Sequence, residues 1–196
     1  MEYFNPNSFQ TLISRWNIDK AGYLSTLYQK RSLNGVFATN LHYQQIVSWP
    51  CPRDFVDLFE NAAVIYLIRP DKVAQAASLA TCLLTGNWGF TGESKRSFYF
   101  ERRLRNAARK AIKYIEDEDK HWDGFFAERN IQPCQITNEQ VNRDTPTAIN
   151  EIAGYARLSF DSAGLERMLQ LDSGPYQIDV ELKASLCRIV REIKEK

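Results

Sequence analysis

Ala62 to Ile68 reads AAVIYLI, an uninterrupted apolar run that is too short for a typical helix and shows no alternation. Such a run predicts a strand buried on both faces. Arg69-Pro70-Asp71 then breaks it, and the following DKVAQAASLATCLL places Val73, Ala76, Ala77, Ala80 and Leu84 on one helical face. Proline is tolerated in a first helical turn, so the chain passes from strand to helix within three residues. That is half of a βαβ unit, and it constrains the chain to an α/β layer fold with a parallel sheet.

The remaining segments fit the same class. Ile18, Ala21, Leu24, Leu27 and Tyr28 recur at helical spacing through residues 18–33, and Asn34-Gly35 supplies a stop. Gly35 to Leu41, GVFATNL, is short, β-branched and aromatic and predicts a strand. Gly86 to Ser97 is rich in glycine, serine and charge and predicts a loop. The longest helical pattern runs from Ser97 to about Arg129, with bends expected near Asp119 or Gly124. A strand over Ile131 to Thr137, weakened by Pro133, precedes a helix over Thr145 to Leu158 with Pro146 in its first turn. Val180 to Lys196 carries Leu182, Leu186, Ile189, Val190 and Ile193 on one face and predicts a closing helix. The chain reads as a single domain over 1–196, without internal repeats.

Composition narrows the classes of partner. With 44% hydrophobic and 25% charged residues over 196 positions, the chain can bury about 70% of its extended surface without disulfides. Lys plus Arg (25) nearly cancels Asp plus Glu (24), so the net charge of +1 gives no global field toward nucleic acid or an anionic membrane. Any anion site must be local. Four scattered cysteines without a CxxC pair, and only His42 and His121, argue against a metal site and for buried, reduced thiols. The N-terminus has neither a basic nor an apolar leader region, and no stretch approaches the roughly 18 apolar residues of a membrane span. A cytoplasmic location is the default.

In open α/β sheets, ligands bind beyond the carboxyl ends of strands. Arg69 sits at such an end, and its guanidinium can hold a phosphate or sulfate through two parallel hydrogen bonds. Ser78, roughly two turns into the next helix, can add a donor. The competing reading pairs Arg69 with Asp71 and bonds Ser78 to its own backbone. No phosphate loop of the GxxxxGK[ST] or GxGxxG kind occurs. Gly86, Gly89 and Gly92, followed by Lys95 and Arg96, form either an anion nest or a surface loop. Arg102, Arg105, Arg109 and Lys113 share one helical face, which is either a polyanion site or a solvated face neutralised by the acidic run Glu116 to Asp119. Trp88 either stacks on a sugar or base or folds back into the core. His42 is either an acid or base or a hydrogen-bonded structural residue. There is no GxSxG elbow and no cysteine with a visible base, so hydrolysis has no support.

One ordered set of segments carries a family likeness. Glu2-Tyr3-Phe4-Asn5-Pro6, Tyr23-Leu24 with Asn34-Gly35-Val36-Phe37, Leu41-His42-Tyr43-Gln44-Gln45, Thr85-Gly86-Asn87-Trp88 and Trp122-Asp123-Gly124-Phe125-Phe126 accompany Arg69-Pro70-Asp71-Lys72-Val73-Ala74-Gln75-Ala76-Ala77-Ser78. Together they resemble the Stf0-type bacterial sulfotransferases, a family that includes trehalose 2-sulfotransferase. The likeness runs from residue 1 to about residue 158, its most specific piece being RPDxxxQAxS, and leaves 159–196 unmatched.

The resemblance implies a three-layer sulfotransferase fold related to the P-loop kinases. It also implies the donor 3′-phosphoadenosine 5′-phosphosulfate (PAPS), with adenosine 3′,5′-bisphosphate as product, and a hydroxyl of a carbohydrate or related acceptor. On the family pattern Arg69 and Ser78 hold the 3′-phosphate and Glu2 is the general base. Trp88 falls at the Thr-Gly-x-Trp position near the cleft, and His42 joins it as a substrate-side residue. Family members begin with a strand and a serine- and glycine-rich loop around the 5′-phosphosulfate, whereas this sequence starts at Glu-Tyr-Phe and carries Asn40 where a lysine is common. The expectation is therefore an N-terminally truncated domain. Three explanations compete: an internal methionine of a longer reading frame, a homodimer that covers the exposed sheet, and a divergent, inactive relative that binds a nucleotide or glycan.

Overall fold

The structure is a computed structural model that describes residues 3–20, 22–49, 58–88, 99–159 and 180–195. The chain divides into two compact units, residues 1–62 and 63–196.

The first unit is built on aromatic rings. Helix α1 (Pro6–Trp16) carries Phe9, Leu12, Ile13 and Trp16 at i, i+3, i+4 and i+7, which is the spacing of one helical face. Helix α2 (Tyr23–Arg31) contributes Tyr23 and Leu27, and α3 (Tyr43–Val47) is a short helix that follows. Phe4, Phe9, Leu12, Tyr23, Leu27 and Trp49 form the buried cluster. Phe9 meets Tyr23 at 4.8 Å and Trp49 at 4.7 Å between ring centroids, both edge-on, the arrangement the ring quadrupole favours. The Tyr23 hydroxyl donates to the Tyr3 carbonyl at 2.8 Å, so the buried phenol is satisfied.

Two sequence expectations change in this unit. The helix predicted from Ile18 begins at Tyr23, because Asn17 takes a left-handed φ of 50° and Asp19 Oδ1 accepts from the Gly22 N–H at 2.7 Å ahead of the helix. The strand predicted over Gly35 to Leu41 is absent. Asn34 and Gly35 adopt φ of 51° and 78° and fold the chain into an isolated antiparallel bridge, Leu33 to Val36. Consecutive positive φ values define the tight two-residue hairpin turn, and residues 37–42 form no ladder beyond it. Phe37 packs instead on Tyr28 at 4.9 Å and Tyr3 at 5.8 Å.

The second unit holds the sheet. Strand β1 (Ile65–Ile68) leads into helix α4 (Lys72–Thr85), then α5 (Glu101–Glu128), strand β2 (Cys134–Thr137), α6 (Asn138–Arg143), α7 (Thr145–Ala156) and α8 (Val180–Lys194). β1 and β2 pair in parallel, in register from Ile65 with Cys134 to Ile68 with Thr137. A parallel pair needs a crossover, which runs through α4 and α5. The architecture is thus α/β but helix-rich, with a two-stranded sheet among the described residues. β1 is not buried on both faces: Ile65 is 40% and Leu67 60% exposed, while Tyr66 and Ile68 alternate with them, half-buried. Tyr66 packs on Phe126 at 5.3 Å and Trp122 at 6.4 Å. Only that face is covered by α5.

The core lies where α4, α5 and α8 meet. Ala76, Ala77 and Ala80 of α4 face Ala107, Ala108 and Ala111 of α5, with Leu186, Ile189 and Val190 of α8 closing the cluster. Alanines on facing surfaces let helix axes come to the near end of the usual 8–10 Å separation. α5 runs unbroken through Asp119 and Gly124 for 28 residues, without the interruption expected there. Among the described residues no helix is long and apolar enough to cross a membrane.

Candidate functional site

The carboxyl ends of both strands lead directly into helices. Ile68 is paired with Thr137, so Arg69 emerges beside the end of β2. The two helix starts that follow are already capped. Asp71 Oδ1 accepts from the Ala74 N–H at 2.8 Å, and Thr137 Oγ1 accepts from the Gln140 N–H at 3.1 Å while Gln140 Oε1 accepts from the Thr137 N–H at 2.8 Å. A carboxylate at the start of α4 repels a second anion there. An anion held at this end therefore depends on side chains, not on the helix terminus.

Arg69 and Ser78 are those side chains, both half-buried. Asp71 is engaged as the cap, and among the described residues Arg69 enters no ion pair. Ser78 differs from its neighbours in the same helix. The Thr81 hydroxyl donates to the Ala77 carbonyl at 2.8 Å and the Thr85 hydroxyl to the Thr81 carbonyl at 2.9 Å, whereas the Ser78 hydroxyl makes no hydrogen bond among the described residues. Neither residue makes the local contact of the competing reading among the described residues. A guanidinium and a hydroxyl with open hydrogen-bonding capacity on one strand-to-helix unit suit a phosphate or sulfate group.

The sequence candidates do not all come together. Trp88 follows Gly86, whose φ of 71° ends α4, and the whole 14-residue helix separates it from Arg69, about 20 Å of rise. Its indole is 65% exposed, so it is not folded back into the core. His42 belongs to the other unit and starts α3, its backbone N–H donating to the buried Gln45 Oε1 at 3.0 Å. Glu2, Cys51 and the segment with Gly89, Gly92, Lys95 and Arg96 lie outside the described residues.

Two of the four basic candidates on α5, Arg105 and Lys113, are engaged. Arg105 donates to Glu101 at 2.8 Å and to Glu192 of α8 at 2.6 Å. Lys113 bonds Asp117 at 2.7 Å, and that hydrogen bond holds the Asp117 carboxyl below the usual carboxylate range. Half of the basic residues on this face of α5 are thus paired with carboxylates. A cleft of about 190 Å³ lies over Lys72, Ala76, Ile112, Ile115, Glu116, Asp119 and Lys194. Its charges answer one another, Lys72 with Asp119 at 2.5 Å and Lys194 with Glu116 at 3.7 Å. Beside it, burial and then the Asp119 carboxylate push the Tyr66 phenol up to about 12. Cys82, Cys134 and Cys187 are free thiols, Cys134 raised in pKa by burial and then by Glu151. Among the described residues no group of three or more His, Cys, Asp or Glu is placed to hold a metal ion.

Gln75 belongs to the RPDxxxQAxS stretch that carries the family likeness, without a role given to it there. It lies between Arg69 and Ser78 in the chain, and its Oε1 is buried without a hydrogen-bond partner. Its i, i+3 spacing to Ser78 puts the two on neighbouring positions of one helix face.

A family model described as Stf0 sulphotransferase matches residues 50–165, more than half of the chain. The matched span contains Arg69, Gln75, Ser78 and Trp88, and not Glu2 or His42. No curated protein matches the chain.

Proposed function

The chain belongs to the Stf0 sulphotransferase family, and on that footing we propose that it transfers a sulfuryl group from PAPS to a hydroxyl of a carbohydrate or related acceptor, in the cytoplasm. The observation that carries this reading is the pair at the end of β1. Arg69 has no ion pair among the described residues, and Ser78 leaves its own backbone unbonded where Thr81 and Thr85 do not. The two residues hold the donor's 3′-phosphate, Arg69 by charge-assisted hydrogen bonds and Ser78 by its hydroxyl. When bound, the donor supplies a sulfuryl group on a phosphate leaving group. Glu2, assigned from the family pattern, accepts the proton of the acceptor hydroxyl as that oxygen bonds to sulfur and the bond from sulfur to the phosphate oxygen breaks. Trp88 offers an exposed aromatic face to the acceptor sugar.

The test is transfer of label from ³⁵S-PAPS to a pool of mono- and disaccharides. Transfer is expected, and Glu2→Gln should slow it by about 10²- to 10⁴-fold, the usual worth of a general base. Nucleotide binding with no transfer to any hydroxyl overturns the reaction and leaves the inactive relative that binds a nucleotide or glycan.

A further inference from the structure

We infer that Asp119 is a positioning residue for Arg69, its carboxylate tying together the two sides of the strand-to-helix turn that carries the guanidinium; the assignment rests on the proposed donor site. Arg69 stands in the turn between β1 and α4, with Tyr66 three residues before it and Lys72 three residues after. Asp119 of α5 reaches both. Its Oδ2 pairs with Lys72 Nζ at 2.5 Å. On the other side of the turn, Tyr66 lays its ring on Trp122 at 6.4 Å and Phe126 at 5.3 Å, and Asp119 precedes Trp122 by three residues, on the same face of α5. Burial first, and then the Asp119 carboxylate with which its hydroxyl hydrogen-bonds, push this phenol up to about 12.

One carboxylate on a long helix thus holds both ends of a short turn. The turn has local bonds of its own: the Lys72 N–H donates to the Pro70 carbonyl at 2.8 Å, and the Ala74 N–H to Asp71 Oδ1 at 2.8 Å. Those bonds join the turn to α4 alone. Asp119 adds the tie to β1 and to α5, which is itself fixed in the core by Ala107, Ala108 and Ala111. A guanidinium on a turn held in this way meets a phosphate without first losing backbone freedom. The Lys72 and Asp119 side chains are 30% and 37% exposed, and an ion pair within reach of solvent adds little to global stability. Asp119 therefore serves the aim of Arg69 more than the stability of the fold.

Isothermal titration of adenosine 3′,5′-bisphosphate and adenosine 5′-monophosphate tests this without any turnover, on the wild-type chain, Asp119→Ala, Asp119→Glu, Tyr66→Phe and the double variant of Arg69→Ala with Asp119→Ala. Asp119→Ala should weaken the bisphosphate by about 2- to 30-fold, the range for a residue that acts through another, and leave the monophosphate, which has no 3′-phosphate, nearly unchanged. Asp119→Glu keeps the carboxylate and should restore most of the affinity. Tyr66→Phe removes a single hydroxyl and should show a smaller loss, again confined to the bisphosphate. In the double variant, binding should be no weaker than in Arg69→Ala alone. The role of Asp119 is overturned, with the phosphate site left standing, by an unchanged bisphosphate affinity in Asp119→Ala or Tyr66→Phe, an equal loss for both nucleotides, no rescue by Asp119→Glu, or a further loss in the double variant. Failure of the wild type to bind the bisphosphate overturns the donor site and this assignment with it.

Discussion

Residues 1–62 bury large rings against one another, whereas residues 63–196 bury alanine methyls where three helices meet. Helices α1, α2 and α3 of the first unit have 11, 9 and 5 residues and present little surface each, so side chains of large area supply the burial. The three helices that meet in the second, α4, α5 and α8, have 14, 28 and 15 residues and are long enough to gain from many small contacts at close approach. The difference bears on function. α4 carries Ser78 and is held along its other face by Ala76, Ala77 and Ala80, so the hydroxyl proposed for the phosphate stands on a firmly packed element. The stretch matched by the family model also falls mostly in the second unit.

The comparison should break most visibly at Phe9. Phe9→Ala removes the edge-on contacts to Tyr23 and Trp49 and should lower the unfolding free energy in urea by about 3–5 kcal/mol. A loss under about 1 kcal/mol would mean that the rings do not carry the first unit. The second unit should fail in the opposite direction, by enlargement. Ala77→Leu places extra methylenes in a fully buried position of α4 and should cost about 1–3 kcal/mol in the same measurement; a neutral result contradicts the close alanine packing.

The smallest effect is one the two units share. Burial first, then Tyr3, pushes the Tyr23 phenol up to about 12, and burial first, then Asp119, does the same for Tyr66. Each phenol keeps its proton longer in the folded chain than in the unfolded one, where its value is 10.0. The stability this contributes is complete below pH 10 and is lost as pH rises through about 12. Unfolding free energy measured from pH 9 to 12 should fall, and Tyr23→Phe or Tyr66→Phe should each flatten part of that fall. An unchanged slope in both variants rules out this origin for the alkaline loss.

The second unit was the more legible in sequence. The change from AAVIYLI to an alanine-striped helix across Arg69-Pro70-Asp71 marks β1 and α4 because the period of apolar residues changes there. The long stripes of α5 and α8 are read in the same way. α1 was passed over although Phe9, Leu12, Ile13 and Trp16 carry a helical period, because Asn5-Pro6-Asn7-Ser8 ahead of them looks like a turn. Asn34-Gly35 was read as a helix stop alone, yet it also closes the Leu33 to Val36 bridge, and so the apolar residues after it suggested a strand that has no ladder. The exposed side of β1 was not legible because burial depends on how many strands and helices cover the sheet, which a run of apolar letters does not state. At the candidate site, Arg69 and Ser78 can be proposed from side-chain chemistry at a strand end. The buried, unpartnered Oε1 of Gln75 is a product of packing, which the letters do not state.

The central claim is that Arg69 makes the end of β1 a 3′-phosphate site. The most direct measurement is isothermal titration of adenosine 3′,5′-bisphosphate against adenosine 5′-monophosphate, on the wild type and on Arg69→Ala. The wild type should bind the bisphosphate the more tightly, and Arg69→Ala should weaken that binding by about 10- to 100-fold, the worth of a charge-assisted hydrogen bond, while leaving the monophosphate nearly unchanged. Equal binding of the two nucleotides by the wild type, or an Arg69→Ala chain that holds the bisphosphate as well as the wild type does, would contradict it.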